Sequence, residues 1–177
     1  MNIQHIGNLE ILKNNKLALF CSRKCPPDII VKSLDLAIEI RKAGITVIGG
    51  FQTIVEKEFL NVLLKGKQNI IWCPARNIEN YNYSLKFKKA VKNDRCLILS
   101  NFPQEDDRIS KKRGIERNYF VAEQANAILI LYAAPDSNTE KLAISYRNSE
   151  KKLFTIESES NEYILNLGYK PYHITSF

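Results

Sequence analysis

Ser22 and Arg23 place a hydroxyl and a guanidinium side by side. Both can donate to phosphate oxygens, the arginine as a two-pronged fork. A second anion-binding pattern is Gly49-Gly50-Phe51-Gln52, just ahead of a helical run. Paired glycines let the backbone approach a ligand closely, and a helix N-terminus offers N–H groups to an anion. Phe51 adds a ring on which a base could stack. Arg113 and Arg117 stand one helical turn apart, with Asn118 beside them, so both arginines can meet one anion. Ser137-Asn138-Thr139 opens another helical run and reads as an N-cap that can also receive phosphate. Each pattern has a plainer alternative: a turn with an exposed arginine, a tight glycine turn, a solvated helix face, an ordinary cap.

Other chemistries are disfavoured. Gly49-Gly50 is neither the G-x-G-x-x-G dinucleotide fingerprint nor a P-loop with its lysine, which argues against NAD redox chemistry and ATP hydrolysis. His5 and His173 lie near the ends of the chain, and no serine sits in a nucleophile elbow. Glu56 and Glu58 read as first-turn acids favoured by the helix dipole. Cys21 and Cys25 form a C-x3-C pair without a second pair at zinc-site spacing, and Cys21, Cys73 and Cys96 fall at or inside apolar runs. No catalytic residue, metal or cofactor is expected.

The elements that must position these residues alternate between short β-branched runs and longer helical ones. Strands are expected at 16–21, 45–48, 69–73, 96–100, 127–132 and 152–156, with helices between them from Asp28 to Gly44, Thr53 to Lys65, within Asn77 to Asn93, Ser110 to Asn126, Thr139 to Asn148 and Asn161 to Leu167. That order predicts a doubly wound, Rossmann-like α/β fold with a mostly parallel six-stranded sheet and helices on both faces. Ligands of such sheets bind beyond the carboxyl ends of the strands. The expected lining is therefore Cys21 to Lys24, Gly49 to Thr53, Pro74 to Arg76, Asn101 to Pro103 and Ala133 to Thr139.

At 177 residues the chain suits one domain over 1–177, and 45% apolar with 25% charged residues is a globular composition. The net charge of +7 favours anionic partners such as nucleic acid, nucleotides or acidic lipid. No apolar run nears the roughly 20 residues that cross a bilayer. The start, Met1-Asn2-Ile3-Gln4-His5, lacks a signal-peptide pattern. A cytoplasmic location and no membrane partner are expected.

Ordered segments resemble a known family. Gly7-Asn8-Leu9-Glu10, Ala18-Leu19-Phe20-Cys21-Ser22-Arg23, Gly44-Ile45-Thr46-Val47-Ile48-Gly49-Gly50 and Leu97-Ile98-Leu99-Ser100-Asn101-Phe102-Pro103 resemble the Rossmann core of DNA-processing protein A (DprA, or Smf). So do Glu116-Arg117-Asn118 and the run Ala127-Ile128-Leu129-Ile130. The stretch Gly49 to Arg76 looks closer to short stand-alone relatives. The resemblance implies single-stranded DNA binding, homodimer formation and delivery of the strand to the recombinase RecA. Departures accompany it: Cys21 replaces a glycine, Thr53 stands where a DNA-contacting arginine is expected, and Asp136-Ser137-Asn138-Thr139 lacks the family's glycine. The winged-helix module of longer members is not present in these residues.

The same superfamily holds the LOG-type phosphoribohydrolases, whose arginine segment Glu116-Arg117 resembles. Their glycine-rich loop is missing near Ala134 to Leu142, and Leu142 occupies the catalytic glutamate position. Three functions are thus expected in descending order: a non-enzymatic DprA-like binder of single-stranded DNA, a nucleotide sensor, and a LOG-like hydrolase of nucleoside monophosphates. Arg117→Ala is expected to weaken strand binding without unfolding the domain.

Overall fold

All six expected strands pair in one sheet, which gains a further strand at each edge. The structure, a computed structural model, describes residues 3–79, 82–102 and 110–176. In chain order the elements are β1 (Gln4–Gly7), β2 (Lys16–Cys21), α1 (Pro27–Ala43), β3 (Thr46–Gly49), α2 (Ile54–Leu63), β4 (Ile70–Trp72), α3 (Leu85–Lys92) and β5 (Cys96–Ser100). Then come α4 (Lys111–Gln124), β6 (Ala127–Tyr132), α5 (Asn138–Tyr146), β7 (Lys152–Thr155), α6 (Glu162–Asn166) and β8 (Lys170–Pro171). The strand order is β1-β5-β4-β3-β2-β6-β7-β8. Every pairing is parallel except β1 with β5. The expected six-stranded sheet is therefore corrected to eight strands; the α/β, Rossmann-like character stands.

The burial pattern explains why the inner strands read so clearly. β2, β3, β5 and almost all of β6 are buried along their whole length, as strands covered on both faces must be. Alternate residues feed two separate cores. Leu17, Leu19, Val47, Ile70, Leu129 and Leu131 pack with Ile29, Ile40, Phe59 and Phe87 from α1, α2 and α3. Ala18, Phe20, Ile48, Leu97, Ile128 and Ile130 pack with Phe120, Val121, Leu142 and Ile164 from α4, α5 and α6. The change of face follows from handedness. From β2 the chain steps outward through β3, β4 and β5, then returns to place β6 on the other side of β2; right-handed crossovers carry the helices to the opposite face when the direction reverses.

Local signals set the ends of the elements. Pro26 and Pro27 begin α1, and Gly44 ends it in the left-handed region at φ 75°. The edge strand β1 depends on Gly7, whose φ is 103° and whose α-carbon lies against the Cys96 carbonyl, where a Cβ has no room.

Candidate functional site

The sheet changes direction between β2 and β6, and the crevice of a doubly wound sheet lies at such a point. Ser22 joins the two strand ends there. Its N–H donates to the Tyr132 carbonyl at 2.9 Å, and its hydroxyl accepts from the Ala134 N–H at 2.9 Å. The same hydroxyl donates to Ser137 Oγ at 3.0 Å. Ser137 in turn caps α5 by accepting from the Glu140 N–H at 3.1 Å. Ser22 is buried, so its hydroxyl ties the loops together instead of facing solvent. Arg23 and Lys24, immediately after it, are exposed.

The loop after β3 is organised by a residue that sequence reasoning assigned only to the helix dipole. One Glu56 carboxylate oxygen accepts from the Cys21 N–H at 2.9 Å. The other accepts from the N–H groups of Gln52 at 2.8 Å and Thr53 at 3.1 Å. Glu56 is buried, and its own N–H donates to Thr53 Oγ1 at 3.3 Å, completing a capping box. The amides at the start of α2 that were expected to hold an external phosphate are thus partly occupied by a carboxylate of the chain itself. The pattern Thr53-x-x-Glu56 was the available signal, but the reach to Cys21 exists only in the folded sheet.

Arg117 lies behind this loop and is only 4% exposed. Its Nε donates to Asn118 Oδ1 at 2.9 Å, Nη1 to the Cys73 carbonyl at 3.0 Å and Nη2 to Gln52 Oε1 at 3.2 Å. Burial depresses its basicity, opposed by the Glu56 carboxylate and the Cys73 thiol. The guanidinium lies against Gly50, where a Cβ would overlap it. Gly50 is needed for this packing. The expectation that Arg117 offers its charge to a ligand from an open helix face is corrected: it clamps the β3 and β4 strand ends from within. The spacing held a hint, because Arg117 shares its helix face with Phe120 and Val121, both buried.

Phe51 is also corrected. Its ring is 4% exposed and packs in the core with Val55 and Phe59, with the backbone at φ 48°, so it offers no free stacking face. Gly49 ends β3, and its carbonyl accepts from the Cys73 N–H at 2.9 Å. Gln52 is exposed, Asn118 and Asn138 are half-buried, and Thr139 is buried. Arg113, one helical turn before Arg117, holds its guanidinium 5.3 Å above the Phe102 ring. Pro103, expected in the lining, lies outside the described residues.

The expected residues therefore separate into two layers. Ser22, Gly50, Phe51, Arg117, Ser137 and Thr139 form an inner framework, buried or half-buried, while Arg23, Lys24 and Gln52 are exposed, Gln52 with its Oε1 on the Arg117 guanidinium. Cys21 and Cys25 add a further feature: their neighbouring thiols act on each other, which raises the Cys21 thiol and lowers the half-buried Cys25 thiol. Among the described residues no helix is long and apolar enough to cross a membrane.

A family model described as DNA recombination-mediator protein A matches residues 2–164. The chain belongs to this family. A search of curated proteins returns no match. Among solved structures, DNA processing protein A from Helicobacter pylori is 21% identical with a TM-score of 0.76, over 99% of this chain and 84% of that one. That protein binds single-stranded DNA. DNA processing protein A from Streptococcus pneumoniae is 17% identical with a TM-score of 0.78, over 96% of this chain and 62% of that one. The Moco carrier protein from Chlamydomonas reinhardtii is 14% identical with a TM-score of 0.56, over 87% of this chain and 84% of that one. At these identities the likeness is one of fold. Within the family pattern, Thr53 caps α2 where an arginine was expected. Leu142, which the resemblance sets against a LOG-type catalytic glutamate, is 1% exposed in the core.

Proposed function

We propose that the chain binds single-stranded DNA without catalysing a reaction, at the strand ends between β2 and β6. The carrying observation is the Ser22 junction, which holds Arg23 and Lys24 exposed at the switch point of the sheet. Family membership and the net charge of +7 favour the same ligand. Arg23 and Lys24 supply the phosphate contacts, Gln52 and Asn138 supply polar contacts, and Arg113 extends the basic surface. Ser22, Gly49, Gly50, Arg117, Asn118, Ser137 and Thr139 support the site from behind.

The wider role is DNA processing in the cytoplasm, as a homodimer that passes its strand to a recombinase, as DprA-like membership suggests. A LOG-like hydrolase is disfavoured by Leu142, whose side chain is apolar and enclosed. Fluorescence anisotropy of a labelled dT strand tests the proposal. Affinity should fall as salt rises, with a log–log slope near −0.7 for each phosphate neutralised. A salt-independent affinity, or no binding at micromolar protein, overturns it. Saturable binding of a mononucleotide with no preference for longer strands would replace DNA by a nucleotide.

A further inference from the structure

A cavity of about 650 Å³ lies beside the amino ends of β7 and β8, the opposite end of the sheet from the crevice. Its size suits a nucleotide. Arg147, Lys151, Lys152 and Lys170 line it together with His173, and no aspartate or glutamate does. Among the described residues, none of the four cations pairs with a carboxylate. Two of them are anchored: Lys151 Nζ donates to the Glu123 and Ala125 carbonyls at the end of α4, and Lys152 Nζ to the Ser176 carbonyl at 3.1 Å. Arg147 and Lys170 are exposed, and their side chains make no hydrogen bond among the described residues.

Ser149 and Ser176 also line the cavity. Leu153, Phe154 and Pro171 provide an apolar wall next to the charges, so the lining combines a phosphate-like and a base-like half.

We propose that this cavity is a second anion site, taking the phosphate group of a nucleotide-sized ligand between Arg147 and Lys170. It does not depend on the strand-end reading, because it shares no residue with that site. Isothermal titration of the full chain with ADP, and separately with pyrophosphate, tests it. ADP should bind saturably, and at least tenfold more weakly in R147Q/K170Q. Both charge changes are on exposed side chains, so the double variant should melt at the wild-type temperature and its loss of affinity reports the site. ADP binding that ignores the double variant, or no saturation up to millimolar ADP, overturns the proposal. A dT strand that displaces ADP identifies strand phosphates as the source; a strand that does not identifies a free nucleotide.

Discussion

Gly50→Ala adds one methyl group against the buried guanidinium of Arg117. The Gly50 backbone lies outside the left-handed region, so alanine there is conformationally allowed. The effect comes from overlap of the new Cβ with Nη1 and Cζ of Arg117. That guanidinium is bonded to Asn118, the Cys73 carbonyl and Gln52, so it can retreat only by giving up bonds. Overpacking of this kind costs about 1–3 kcal/mol. Arg117→Ala alone strips a donor from the buried Cys73 carbonyl, at about 1–3 kcal/mol. Glu56 keeps its three backbone donors in that variant, which limits the damage. In the double variant the methyl enters space left by the guanidinium, so the double should be no less stable than Arg117→Ala. The coupling then equals the whole cost of Gly50→Ala. Urea unfolding of the four proteins at constant m-value measures it. Effects that add to within about 0.5 kcal/mol would refute the packing argument.

Three other outcomes follow from the same framework. Glu56→Gln presents an amide to three N–H donors and should destabilise by about 1.5–3 kcal/mol; a urea midpoint equal to wild type would contradict the role of Glu56. Burial pushes the Cys73 and Cys96 thiols from 9.0 up to about 12, so the fold holds them neutral while the unfolded chain ionises them. Their contribution is fully present below pH 9 and is lost as pH rises towards 12. The urea midpoint should fall over that window, less steeply in Cys96→Ala; equal slopes in the two proteins would count against it. The neighbouring Cys21 thiol lowers the half-buried Cys25 thiol, so iodoacetamide at pH 8 should label Cys25 first, read by peptide mapping. Equal labelling of Cys25 and Cys73 would exclude this.

The inner sheet was legible because strands covered on both faces become unbroken apolar runs, as in Ala127–Tyr132. β1 was not, since its four residues alternate between exposed and half-buried and its position depends on Gly7 approaching β5. β8 has two residues, too few to show a period. The location of the candidate site was read from topology alone, because strand ends at a switch point form a crevice whatever their residues. Roles within it did not follow. A buried arginine and a solvent-facing one have the same letter, and only the rotation of α4 decides that Arg117 turns inward with Phe120 and Val121. Phe51 shows the converse, an aromatic at a loop tip whose left-handed backbone folds its ring into the core.

The outer layer carries the central claim, and substituting it leaves the inner framework intact. Arg23 and Lys24 are exposed, so Arg23→Gln/Lys24→Gln should melt at the wild-type temperature. The direct test is the salt dependence of dT-strand affinity, by anisotropy, for this variant and the wild type. The account predicts weaker binding and a log–log slope shallower by about 0.7 for each cation removed. An unchanged slope and affinity would contradict strand binding at the β2–β6 switch point.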